Sequence, residues 1–345
     1  QNELTIDPGA EIRVAGNYQL IINGTLHAQG TSSNKITFTS NIANPTNAAW
    51  KGISFTDQSD YLTSGSSLEN CIISYAVNGI SLTSTSNIDI ANCTFESLSN
   101  AAISITSSEA TIQNCSFQNF YTYGVYITGT DSEVTLSGST LSQGIGNSGS
   151  TSIDYRKKGS GVYVTTSAAV DISGNTISLC GNGINSTATN ALFPSLSITS
   201  NTLTNNNYGI YLKGYYDYGC KSNVTAEIHQ NNIYGNTNYG LFTDDSKGYY
   251  LDVVDATDNW WGTTDMASVA INQIYDNSDN ASSPLVDFVP FLNAQNGNSI
   301  SNNYQQGLID QAHWNAGTYL MVGNVYVQNE LTIDPGAEIR VAGNY

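Results

Sequence analysis

Charge is scarce in this chain, and positive charge is scarcest. Only 11% of the 345 residues are Asp, Glu, Lys or Arg, against roughly 25% in an average soluble protein. Ten basic residues stand against 28 acidic ones, a formal net charge of -18. So acidic a chain repels phosphate backbones, which excludes nucleic acid as a partner. No apolar run approaches the ~20 residues that a membrane-spanning helix needs, and no signal peptide opens the chain at Gln1, as expected of a mature or internal fragment. The three histidines, His27, His229 and His313, are scattered and form no metal pattern. Five cysteines leave at least one thiol unpaired. Disorder is excluded, because Val, Ile, Leu and 22 Tyr recur every few residues. What remains abundant is Asn, Ser, Thr, Gly and Tyr, a composition suited to a surface exposed outside a cell.

Those residues are arranged in a repeat. One family of segments reads Gly, apolar, any, apolar: Gly52-Ile53, Gly79-Ile80, Gly124-Val125, Gly161-Val162, Gly183-Ile184, Gly209-Ile210 and Gly240-Leu241, with Ala102-Ile103 replacing Gly once. The other ends in a small polar pair: Asn70-Cys71, Asn92-Cys93, Asn114-Cys115, Gly138-Ser139, Gly174-Asn175, Ser200-Asn201, Gln230-Asn231 and Asp258-Asn259. The two families alternate. The first three pairs lie 22 residues apart, and later gaps are 24, 36, 26, 30 and 28. Each interval holds a few short strands with apolar residues at period 2. A strand that meets its equivalent one coil later builds a parallel sheet along an axis, ~4.8 Å per coil. The expected fold is all-β: a parallel β-helix whose unequal gaps are loops.

Stacking turns each equivalent position into a column of neighbours. The column Cys71, Cys93, Cys115, Ser139, Asn175, Asn201, Asn231, Asn259 is expected at a turn, where Asn bonds the coils above and below and Cys fills a small buried space. The outward column of the glycine strands reads Ser81, Ser104, Tyr126, Tyr163, Asn185, Tyr211, Phe242, with Tyr123, Tyr208 and Tyr239 just before the glycines. Tyr126, Tyr163, Tyr211 and Phe242 form a stripe that is either a platform for sugar rings, a lateral contact between copies, or simply cross-strand packing. A third column contains Asp89, Asp171, Glu227 and Asp255. Glu227 and Asp255 fall on successive coils, so their carboxylates are expected roughly 5 Å apart, a separation glycosidases use. Few basic residues accompany them. Asp244, Asp245 and Asp258 are candidates for binding calcium as a cofactor, since oxygen-rich loops attract it.

Leu4-Thr5-Ile6-Asp7-Pro8-Gly9, followed by Leu20 to Leu26 and Ile36 to Ser40, resembles the opening coils of secreted right-handed parallel β-helix (pectin-lyase-like) proteins. Asp258 to Thr263, Ile274 to Asp276 and Val286 to Leu292 resemble the closing segment of that family. The resemblance implies the fold and an extracellular setting. It leaves activity open, because such proteins include lyases, hydrolases, epimerases, adhesins and structural proteins. Between the closing motifs, Asp265 is placed to cap a helix with apolar face Ala267, Ala270, Ile271, Ile274 and Tyr275, plugging the end of the solenoid.

The chain also repeats itself. Gln1 to Tyr18 recurs letter for letter as Gln328 to Tyr345, an offset of 327. Thr318 to Val327 reads as lead-in strands to the second copy. The expected organisation is a β-helix domain over 1–292 with a capping segment at 263–292, a polar linker over 293–303, and the start of a second domain over 304–345. The copied ends, with Gln1, Tyr18, Gln328 and Tyr345 at their limits, are the expected inter-unit contacts. The function this suggests is the structural repeat unit of an extracellular filament, sheath or stalk on a cell surface, its partners other copies head to tail. A duplicated end of engineered origin is the bland alternative for the copy. The functional alternative is a carbohydrate-active enzyme or glycan-binding adhesin, with polysaccharide as the partner.

Overall fold

The computed structural model describes residues 3–56, 65–85, 87–144, 159–217, 220–222, 224–244, 253–300 and 304–341. Three long parallel sheets run along it. The first has eleven described strands, from Glu3–Ile6 to Leu285–Asp287; the second has nine, from Glu11–Val14 to Asn232–Tyr234; the third has ten, from Gln19–Ile22 to Ile274–Tyr275. Successive strands enter successive sheets, and each pairs with its equivalent one coil away. This is the expected solenoid.

The core follows from period-2 alternation. Ile53, Ile80, Ile103, Val125, Val162, Ile184, Ile210, Leu241 and Ile274 are direct partners along the third sheet, and none is more than 1% exposed. Phe95 and Phe117 stack beside them with centroids 5.0 Å apart. The glycine before most of these third-sheet residues is a matter of close approach. A Cβ on Gly209 would stand 2.6 Å from the carbonyl oxygen of Gly240 in the next coil.

The polar pairs have a sharper role than a generic turn. Their first members, Asn70, Asn92, Asn114, Gly138, Gly174, Ser200, Gln230 and Asp258, all adopt φ between 49° and 65°. Asn and Gly tolerate that left-handed conformation best. The kink aims the second member inward, where its side chain serves the neighbouring coils. Asn201 Oδ1 accepts from the Asn175 backbone N–H (2.8 Å) and from Asn175 Nδ2 (3.0 Å). Asn201 Nδ2 donates to the Ile172 carbonyl at 2.7 Å and to Asn231 Oδ1 at 3.0 Å. The ladder continues through Asn231 to Asn259.

The other two corners use the same device. Leu179, Asn205 and Gly235 have positive φ, and the residues after them form a second ladder: Cys180 N–H donates to Asn206 Oδ1, and Asn206 N–H to Asn236 Oδ1, both at 3.0 Å. At the third corner hydroxyls substitute for amides, from Thr85 through Ser108 and Ser132 to Thr166. Cys71, Cys93, Cys115 and Cys180 are buried free thiols. The contact with Cys93, together with burial, pushes the Cys115 thiol up, which makes Cys115 a packing group and a poor nucleophile.

The helix departs from its expected face. It spans Met266–Asn272 with Asp265 at its N-cap, and Asp265 makes no side-chain capping bond. Met266 and Val269 are the buried positions, whereas Ile271 is 55% exposed. Ile274 and Tyr275 form the last strand of the third sheet. The core column requires Ile274 against Leu241, so the helix stops after two turns and cannot carry an i+8 contact.

Beyond it, Leu285–Asp287 adds a final strand to the first sheet. Phe291–Leu292 then pairs antiparallel with Ser299–Ile300. The segment expected as a linker is thus, as far as residue 300, a hairpin folded back on the body. Asn232 Nδ2 donates to Asn296 Oδ1 at 3.0 Å, and Asn296 N–H to Asn232 Oδ1 at 3.1 Å. Tyr304–Trp314, Gly317–Ile333 and Ala337–Val341 form a further parallel sheet, with Trp314 opposite Ile333 and Met321 opposite Val341. Of the expected lead-in stretch, 318–321 pairs with 338–341.

Candidate functional site

Three surfaces bring candidate functional side chains together. On the third sheet, Tyr126 faces Tyr163, then Asn185, Tyr211, Phe242 and Tyr275 in unbroken register. The rings form two clusters separated by Asn185. Tyr126 and Tyr163 lie 5.6 Å apart with Tyr123 against both. Tyr211 stacks on Phe242 at 5.0 Å, and Phe242 on Tyr275 at 4.4 Å, with Tyr208 and Tyr239 edge-on or tilted. Tyr275 was assigned to the helix by sequence reasoning, so its place in this stack was missed. The rings are half-buried against one another, leaving one face of the stripe open. Burial, with Asp244 alongside, pushes the Tyr211 phenol up to about 12, and its hydroxyl donates to Asp244 Oδ2 at 3.3 Å.

On the first sheet Glu227 and Asp255 are direct partners, as their spacing requires, and Asp287 extends the pair to three carboxylates. Asp255 is held by the Thr257 hydroxyl at 2.8 Å, and His229 Nε2 lies 3.7 Å from its other oxygen. Burial, and secondarily the charge of Asp255, pushes Asp287 up to about 6. A carboxyl raised in this way suits acid–base chemistry, but Asp287 is covered. A Cβ on Gly307 would fall 2.9 Å from its Cγ, and its Oδ1 is buried with no partner. Further along the same sheet, Asp89, Glu109, Glu133 and Asp171 line a groove of about 740 Å³.

Two of the three calcium candidates lie among the described residues. Asp244, at the end of a third-sheet strand, lies 3.7 Å from Lys213. Asp258 accepts from the Ser299 hydroxyl at the closing hairpin. Asp245 lies outside the described residues. Among the described residues no three His, Cys, Asp or Glu side chains are grouped to hold a metal, and no helix is long and apolar enough to cross a membrane.

The third surface is the end of the solenoid, where 304–341 meets the body. Gln306 Oε1 accepts from the Phe288 N–H at 3.2 Å, and its Nε2 donates to the Val286 carbonyl, so one side chain stands in for a strand partner. Tyr326 donates to Asn277 Oδ1 at 2.6 Å, and fully buried Val322 joins the core cluster that contains Met266 and Phe288. Of the contacts expected from the copied ends, Tyr18 and Gln328 are exposed, while Gln1 and Tyr345 lie outside the described residues. Sequence reasoning missed Gln306 and Tyr326, since nothing local marks a lone amide as a strand substitute.

Coiled parallel strands, stacked side-chain ladders and a capped end define a parallel β-helix protein. The chain belongs to the right-handed β-helix family: the model of the right-handed beta helix region matches residues 9–141 and 78–248. No curated protein sequence matches significantly. Among solved structures the chain is similar to the tailspike protein of E. coli bacteriophage HK620 in complex with a pentasaccharide, at 12% identity and a TM-score of 0.46, over 98% of this chain and 60% of the tailspike. The chain thus spans under two thirds of that protein. It is also similar to an alginate lyase from Paenibacillus sp. str. FPU-7, at 11% identity and a TM-score of 0.34, over 83% of this chain and 93% of the lyase.

Proposed function

We propose that the chain is a structural unit: a rigid β-helical segment of an extracellular filament, sheath or stalk in which copies follow head to tail. The supporting observation is the junction. Residues 304–341, which from Gln328 onward repeat the opening of the chain, coil in parallel and are fixed to the body by Gln306, Tyr326 and Val322. A flexible tether would make none of these bonds. A repeat whose end receives the next opening extends in one direction without new folding information. The acidic, lysine-poor surface suits a location outside the cell. Electron microscopy of the native material is expected to show rods with an axial repeat of roughly 60 Å, from about twelve coils at ~4.8 Å each. Dispersed globules of single-domain size would sink the reading.

A second reading is supported by the aromatic stripe. A half-buried stack with one open face is a surface on which sugar rings can pack, and the chain's net charge of -18 favours neutral or amino sugars over uronates. If the stripe binds glycans, Phe242→Ala weakens retention on a glycan array by about tenfold, the equivalent of ~1.4 kcal/mol, without moving the unfolding midpoint far. Equal binding by the variant would rule out the stripe.

A further inference from the structure

The aromatic column of the third sheet is interrupted at one coil. From Tyr126 to Tyr275 its members are direct partners in register, and Asn185 is the one without a ring. Where rings occupy successive coils they stack. Tyr211 lies on Phe242 at 5.0 Å with the planes 11° apart, and Phe242 on Tyr275 at 4.4 Å with the planes 15° apart. Tyr163 and Tyr211 flank Asn185 from the coils on either side, ~9.6 Å apart at ~4.8 Å per coil. A ring standing midway would lie ~4.8 Å from each, which is the spacing of the stacks already formed.

Both tyrosines are held away from Asn185. The Tyr211 hydroxyl donates to Asp244 Oδ2 in the following coil at 3.3 Å. Tyr163 packs on Tyr126 at 5.6 Å and on Tyr123 at 5.2 Å, both in the preceding coil. Tyr208 is 5.5 Å from Tyr211 and 5.2 Å from Phe242. It therefore flanks that stack and leaves uncovered the Tyr211 face that looks toward Asn185. The floor between the two rings is polar. Its strand, Asn182–Thr187, presents Asn182, Asn185 and Thr187 as the partly exposed positions. Asn185 Oδ1 is covered and has no hydrogen-bond partner. A turn of the amide about Cβ–Cγ, a soft torsion, directs that acceptor between the rings.

We propose that this slot is a binding site for one pyranose ring of a neutral glycan, entering edge-first between Tyr163 and Tyr211. A pyranose has two apolar faces and a rim of hydroxyls. The faces match the tyrosine walls, and the rim matches the floor, where a hydroxyl donates to Asn185 Oδ1 and others bond Asn182 and Thr187. An aromatic side chain of the same width would leave that amide unsatisfied, which is costly in a covered site. The net charge of -18 disfavours uronates and phosphorylated sugars. The proposal rests on the glycan reading of the stripe and deepens it, replacing a flat platform by one defined ring site.

Filling the slot separates the two ideas. The full chain is applied to an array of neutral oligosaccharides ending in glucose, galactose, mannose or N-acetylglucosamine, with galacturonate oligomers as the acidic control. The best-retained oligosaccharide is then titrated calorimetrically. Asn185→Phe supplies the ring that the column lacks. Its affinity is expected to fall by more than about tenfold, while its unfolding midpoint holds or rises because the two stacks are joined. Asn185→Ala keeps both walls and removes the amide, and should bind about tenfold more weakly. A flat platform predicts the reverse for Asn185→Phe, since a longer stripe binds as well or better. That result overturns the slot and leaves the glycan reading standing, whereas a wild-type chain that retains no glycan overturns both. If Asn185→Phe lowers the midpoint, Asn185→Ala decides, and an unchanged affinity in it overturns the slot. Tighter binding of the galacturonates, or displacement of the oligosaccharide by N-acetyltyrosinamide as readily as by a methyl glycoside, overturns the neutral-sugar assignment.

Discussion

Asn201→Leu is expected to lower the stability of the rod by about 4–6 kcal/mol. Asn201 is fully buried and joins three coils at once. The substitution leaves the Asn175 backbone N–H, one Asn175 amide hydrogen and the Ile172 carbonyl without partners. Each buried orphan costs about 1–3 kcal/mol, and leucine is too close in size to admit a replacement water. Asn201→Cys, the residue type of this column in its first three coils, retains a weak thiol donor like the one Cys71 directs at the Ala28 carbonyl. It should cost about half as much. Because a solenoid is a chain of nearest-neighbour interfaces, the leucine variant should open first near its middle. Hydrogen exchange would show this as early loss of protection in Ser195–Thr199 and Thr225–His229, the first-sheet strands that lead into the Asn201 and Asn231 corners. A loss under about 1 kcal/mol would mean that the amide ladder contributes little beyond packing.

That ladder shows what the sequence displays and what it conceals. The polar pairs and glycine strands are legible because each is a local pattern repeated at each coil, and stacking then fixes their partners. The Glu227–Asp255 pairing follows from the same register. The left-handed first member of each pair is a backbone property carried by Asn, Gly, Ser, Gln and Asp alike, so no single letter announces it. The second corner was legible in principle, as Asn205-Asn206 and Gly235-Asn236 repeat the pair. Its earlier coils carry Ala76, Leu98 and Phe120 after their left-handed residues, which hides the column among ordinary core. Asp287 was missed for a different reason. The helix and a long loop separate it from Asp255, and only the folded register makes them neighbours. The helix face failed because an i, i+4 pattern was extended across a boundary that the third-sheet column imposes.

The end of the solenoid is expected to tighten as pH falls from 7.5 to 5. Asp287 is held up at about 6, and burial also raises Asp276 and Asp279 in the same cap. A carboxyl outside the folded cap titrates near 4. A folded value above the unfolded one means that the native state binds the proton more tightly, so the stabilisation is full below about 4 and is lost as pH rises through about 6. For Asp287 alone the difference corresponds to roughly 2–3 kcal/mol between those limits. The effect is local. Asp276 Oδ2 accepts the Val286 N–H at 3.1 Å, the Val286 carbonyl accepts from Gln306, and Gly307 covers Asp287. Hydrogen exchange, corrected for its intrinsic pH dependence, should therefore show rising protection in Leu285–Asp287 and 304–314 at pH 5, with Thr202–Thr204 in the middle of the rod unchanged. Asp287→Asn should flatten most of that dependence and make the junction more stable than wild type at pH 7.5, since a neutral amide bears no desolvation cost for charge. A junction that loosens on acidification, or an asparagine variant with the wild-type profile, would show that Asp287 is ionised and solvated in the folded solenoid.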